Sequence, residues 1–110
     1  MKKHILYFLI LISMVSCKKE VFLDEYEVIV FCNQPGQGNL ILKTPSIQDS
    51  ITIFNEYTKK FKAKGPIMFD LKLKPMTMKA AFLHLKKNGQ LVKWSSAYDS
   101  RETAIIKGNF

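Results

Sequence analysis

Hydrophobic and polar positions change period several times along this chain, and each change marks an expected element. Glu25 to Cys32 is dense in Val, Ile, Tyr and Phe, the composition of a strand, and the cluster Asn33-Gln34-Pro35-Gly36-Gln37-Gly38-Asn39 ends it as a loop. Leu40 to Lys43 reads as a short second strand paired with the first. Between Ser46 and Lys64 the apolar residues Ile47, Ile51, Phe54, Tyr57 and Phe61 fall three or four apart, which puts them on one face of a helix. Thr44 or Ser46 caps its start, Pro45 suits its first turn, and Lys59 to Lys64 bring positive charge to its C-terminus before Gly65 and Pro66 end it. Ile67 to Lys74 alternates: Ile67, Phe69, Leu71 and Leu73 face one way, and Met68, Asp70, Lys72 and Lys74 the other.

Lys79 to Lys87 supports two readings. Ala80, Ala81, Leu83 and Leu85 have good helix propensity, with Gly89 as a stop. Alternatively Asn88-Gly89, a pair suited to a two-residue turn with positive φ, closes a hairpin. With Leu85 opposite Val92, Leu83 opposite Trp94 and His84 opposite Lys93, one register sorts apolar from polar, which favours the hairpin. Ala104 to Lys107 adds a last short strand. The fold class expected is α+β, a small two-layer arrangement of an antiparallel sheet with one amphipathic helix across its inner face.

The start of the chain follows another logic. Lys2 and Lys3 precede an apolar run, Ile5 to Val15, and Ser16 places a small residue before Cys17. That order is the pattern of an export signal, and the run is too short for the roughly twenty apolar residues that cross a bilayer. Met14-Val15-Ser16-Cys17 resembles the lipobox of bacterial lipoproteins, with Met14 where leucine is commonest. The resemblance implies cleavage before Cys17 and a diacylglyceryl group on its thiol, so residues 1–16 are expected as signal, 17–25 as lipidated leader and 26–110 as one small domain. More than one acyl chain holds a protein on a membrane essentially permanently. Lys18, rather than an aspartate, follows the cysteine, which favours the outer membrane. Lys18-Lys19-Glu20 with Asp24, Glu25 and Glu27 resembles the charged leaders of Bacteroidota lipoproteins, some of which reach the cell surface.

At 110 residues the chain has room for one small domain, a scale at which deep catalytic clefts are hard to build. Subtracting Lys2 and Lys3 from the net charge of +8 leaves +6 on the mature side chains, and Lys59 to Lys93 holds ten lysines against Asp70 alone. Lysine makes a screened electrostatic surface and lacks the bidentate fork that recognises phosphate specifically. Lys72, Lys74, Lys86 and Lys93, with Trp94 and Tyr98 at the margin, form the candidate binding face. The partner expected there is an acidic envelope protein or an anionic glycan. Lysines interleaved with aromatics also suit single-stranded nucleic acid, which export past the inner membrane argues against.

Candidate chemistry is sparse. Cys32 precedes a glycine-containing loop, but a phosphatase loop needs an arginine six positions on, and Gly38 stands there. Cys32 reads as a small buried hydrophobe and His84, the only histidine after the signal, as a surface strand residue. No His, Cys, Asp or Glu cluster has metal-ligand spacing, Asp70, Asp99 and Glu102 are too scattered for an acid and base pair, and no cofactor motif is present: Gly36-Gln37-Gly38 lacks the rest of a nucleotide loop. The expectation is a lipid-anchored binding module and not an enzyme, with a small envelope enzyme using Cys32 or His84 as the alternative.

Overall fold

The computed structural model describes residues 23–110. These form eight strands: β1 (Asp24–Gln34), β2 (Gln37–Lys43), β3 (Gln48–Phe54), β4 (Tyr57–Ala63), β5 (Met68–Pro75), β6 (Lys79–Lys87), β7 (Gln90–Ala97) and β8 (Ala104–Asn109). They pair antiparallel throughout, in two four-stranded sheets. Sheet A has the order β4-β1-β6-β7 and sheet B the order β3-β2-β5-β8. The two pack as a β-sandwich, because every central strand alternates and both inward rows must be covered. Tyr26, Val28, Val30, Leu83 and Leu85 from sheet A meet Leu40, Leu42, Phe69, Leu71, Leu73 and Ile106 from sheet B, all fully buried.

The α+β expectation is therefore corrected: the described residues are all β, and the segment read as a helix is the β3–β4 pair. Asn55, at φ 69°, breaks the segment into two strands, and β3 and β4 lie at the same edge of the sandwich, one in each sheet. An edge strand is covered on one face only and by fewer neighbours, so polar residues dilute its alternation. In β4, Tyr57, Phe61 and Ala63 turn half-buried inward while Thr58, Lys60 and Lys62 are exposed. The helical spacing of Ile47, Ile51, Phe54, Tyr57 and Phe61 was a coincidence across a turn, and Phe54 is exposed.

A second correction concerns β2. It pairs with β3 and β5, not with β1, because Pro35 and Gly36 carry the chain from one sheet to the other. The crossing is tight: a Cβ on Gly36 would collide with the backbone of Thr77 and Met78, so this position requires glycine. Gln37 closes the crossing, its N–H donating to the Thr77 hydroxyl at 2.7 Å and its carbonyl accepting from the Met76 and Thr77 amides at 2.8 and 2.9 Å.

The hairpin reading of residues 79–97 holds, with Asn88 and Gly89 at φ 53° and 80°. Its register differs, however. A bulge between Leu85 and Lys86 puts Leu85 opposite Lys93, Leu83 opposite Ser95 and His84 opposite Trp94. One inserted residue reverses the facing of everything beyond it, so Trp94 moves from the expected inner row to the outer one. The export pattern and Cys17 lie outside the described residues.

Candidate binding surface

On the outer face of sheet A, side chains that would ordinarily be polar are aromatic. Ile29 of β1 lies opposite His84 of β6, and His84 opposite Trp94 of β7. In the next row Phe31 lies opposite Phe82, and Phe82 opposite Ser96. Tyr98 continues the outward row past the end of β7, where its carbonyl accepts the Ala80 amide at 2.8 Å. Phe31 and Phe82 stack with centroids 5.1 Å apart, and Phe31 and His84 meet at 81° with centroids 4.9 Å apart. Such pairs add about 0.5–1.5 kcal/mol each beyond their burial, so the patch is ordered before anything binds it. Trp94 and Tyr98 nevertheless remain 56% exposed, and Phe31 37%. Single exposed apolar residues are ordinary; a contiguous aromatic cluster on one face marks an interaction surface.

Charges border the patch at one end. Lys60, Glu27 and Lys86 form the adjoining row, with Lys60 and Glu27 ion-paired at 3.6 Å. Burial holds the His84 imidazole below its ordinary pKa of 6.5, with Lys86 adding a smaller push in the same direction. The unfolded chain therefore takes up the proton more readily than the folded one. His84 contributes to stability above about pH 6.5 and loses that contribution as the pH falls through its lowered folded value. The expected outcome is a thermal midpoint that drops between about pH 7 and pH 5 in the parent and drops less in His84→Phe, as read by circular dichroism. Identical pH profiles would remove His84 as the titrating group.

No protein-family model, curated protein or solved structure matches this chain. Function has to be read from its own side chains.

The residues singled out in the sequence do not assemble into one face. Trp94 and Tyr98 belong to the sheet A patch, and Lys86 borders it. Lys72 and Lys74 project from the outer face of sheet B, on the opposite side of the sandwich. Lys93 pairs with buried Leu85 and so points to the inner side of an edge strand, exposed at its margin. The aromatic Phe31 and the borderline Ile29 escaped the sequence reading, and Phe82 entered it only among the aromatics interleaved with lysines. Their signal was available in the alternation of Glu27-Ile29-Phe31 against Val28-Val30, a strand apolar on both faces, which implies two covered surfaces.

Sheet B carries a shallow depression of about 400 Å³ lined by Asn39, Ile41, Ser50, Lys72, Lys74 and Thr103. Among the described residues neither lysine there has a carboxylate within 4 Å, so two free ammonium groups share a hollow with two hydroxyls and an amide.

Cys32 and His84 are kept apart. Cys32 packs against the core and its thiol donates to the Asn55 carbonyl at 3.2 Å, whereas His84 stands on the other face of the same sheet. Asp99 is occupied by Arg101, whose guanidinium donates to both carboxylate oxygens, at 2.7 Å in the closest pair, and holds the Asp99 pKa at about 2. Among the described residues no group of three His, Cys, Asp or Glu is placed to hold a metal, and no helix is long and apolar enough to cross a membrane.

Proposed function

We propose that this chain is a lipoprotein of the bacterial envelope, fastened to the outer membrane through Cys17, and that its domain is a binding module. The observation that carries the binding role is the outer face of sheet A. There Phe31, Phe82 and His84 pack on one another while Trp94 and Tyr98 stay open, an aromatic centre with a charged border, as in protein interfaces. Lys60 is spent on Glu27 and Lys62 lies opposite Glu25, so Lys86 leaves the border net positive by one charge. The partner is an envelope protein with an apolar centre and an acidic margin. The order Lys2-Lys3, Ile5 to Val15, Ser16-Cys17 supports the anchor. A second reading, favoured by the unpaired Lys72 and Lys74 in their hollow, is capture of an anionic glycan on sheet B.

Two measurements on whole cells test the proposal. Fatty-acid labelling of the chain should vanish in Cys17→Ser, and the precursor should accumulate when lipoprotein signal peptidase is inhibited; unlabelled parent chain released as soluble protein would end the anchor reading. A photo-crosslinking residue at Ser96, on edge strand β7 beside Phe82, should give a discrete adduct that the same residue at Thr52, on sheet B, does not. Adducts from Thr52 alone would transfer the role to sheet B.

A further inference from the structure

The strand connections sort into two ends of the sandwich, and the two ends differ in character. Because β1 runs into β2 through Pro35 and Gly36, the start of β1 and the end of β2 lie together at the opposite end. The same argument, followed through each connection, puts at that end the Thr44–Ile47 turn, the 64–67 connection, the Asn88–Gly89 turn, Leu23 and Phe110. Hydrogen bonds tie it together: the Tyr26 hydroxyl donates to the Phe110 carbonyl at 2.8 Å, and Ile67 and Phe110 exchange backbone bonds at 2.9 Å. It is the end nearest Cys17, since the six Cα steps from Cys17 to Leu23 span at most about 21 Å.

Charge is what sets it apart, since exposed apolar side chains stand at both ends, Phe54, Met76 and Tyr98 at the far one. Leu23, Met68, Leu91 and Val92 are exposed apolar residues at its rim, Val92 being the residue left unpaired at the β7 bulge. Around them, out to the rung of Lys93, nine lysines, among them Lys43, Lys62, Lys64 and Lys107, stand against Asp24, Glu25, Glu27, Asp49 and Asp70. Asp24 accepts from Asn88 at 2.9 Å and pairs with Lys87 at 3.7 Å, which takes one charge of each sign out and leaves the lysine surplus unchanged. The far end, around Asn55–Glu56, Met76–Met78 and Tyr98–Thr103, has Lys74, Lys79 and Arg101 against Glu56, Asp99 and Glu102, which leaves no net charge.

Resting on the lipid anchor proposed above, we infer that this near end docks on the membrane itself, its lysines on anionic phospholipid headgroups and its apolar tips at the acyl boundary. Two features single out lipid as the occupant: the tether is too short to lift this end far from the leaflet, and the charge sign is complementary. Docking in this way leaves both outer sheet faces turned sideways, free for a partner, and aims the far end away from the bilayer.

Lysine footprinting tests this on the full lipidated chain, reconstituted in phosphatidylcholine vesicles containing about one-third phosphatidylglycerol. Mass spectrometry first reads the acyl groups on Cys17. Their absence would overturn the anchor reading and this inference with it. On acylated chain, a water-soluble amine-acylating reagent should modify Lys43, Lys64 and Lys93 about fivefold more slowly than Lys72, Lys74 and Lys79, the factor expected from drawing an ammonium to an anionic surface. The Met68→Ser, Leu91→Ser, Val92→Ser variant, changed only at exposed positions, should lose much of that protection with an unaltered thermal midpoint. Uniform modification of acylated chain would overturn the docking alone. Protection of Lys72 and Lys74 with Lys64 left reactive would overturn it too, by laying sheet B on the bilayer.

Discussion

Leu71→Ala is expected to cost the fold about 2–5 kcal/mol, because it empties a volume that neither sheet can collapse to fill. Leu71 lies on β5 with Leu42 on one side and Ile106 on the other, all three fully buried, and it faces the inward row of sheet A. Domains of this size have about 5–15 kcal/mol in total, so the variant would forfeit a large fraction of its stability. Ile105→Ala is the matched control. Ile105 is the outward neighbour of Lys72, 49% exposed, and its truncation should change stability by no more than about 0.5 kcal/mol. Urea unfolding of the two variants, with equal slopes, measures the difference. Equal midpoints would mean that the inward row of β5 does not face a packed core.

Trp94→Ala is expected to abolish the Ser96 crosslink in cells, at a cost to binding of at least about 2 kcal/mol, roughly thirtyfold in affinity. Indole is the largest apolar group on the sheet A face, and it is 56% exposed, so a partner gains its burial while the isolated fold loses little without it. His84 lies opposite Trp94 and meets the Phe31 ring at 81°, so a partner covering the indole would bury a pre-packed cluster. Tyr98→Ala should weaken the crosslink less, because Tyr98 sits at the margin where solvent remains. Trp94→Ala should leave the thermal midpoint almost unchanged, which separates loss of contact from loss of fold. A crosslink of parental intensity from the Trp94→Ala chain would remove sheet A as the contact and leave the Lys72 and Lys74 hollow as the alternative.

If both the docked end and the aromatic face hold, their arrangement is itself informative. The aromatic face runs along the strands of sheet A, from Trp94 and His84 midway along β7 and β6 to Tyr98 at the far end. A partner on that face would therefore lie beside the domain, clear of the lysine-rich end. Raising the ionic strength shortens the Debye length below about 8 Å and should loosen the lysine contacts to lipid before it disturbs the aromatic contact.

Some of this molecule was legible residue by residue. The inward row Phe69, Leu71 and Leu73, the β1 strand, the Asn88–Gly89 hairpin and the last strand are all written locally. A central strand covered on its inner face has to alternate, and a two-residue turn with positive φ has few sequences that allow it. The resemblance to a lipobox at Cys17 is a reading of the linear chain as well, from charge, apolar length and the cysteine, and it stands as a proposal. Long-range hydrogen bonding decided the rest. Whether β2 joins β1 or β5, and whether residues 48–63 form one helix or two edge strands, depends on partners distant in the chain, and half-covered strands leave too weak a period to tell. The β7 bulge is the clearest instance: one unpaired residue put Trp94 beside His84 and turned Lys93 inward, so the aromatic face exists only because the sheet chose that register.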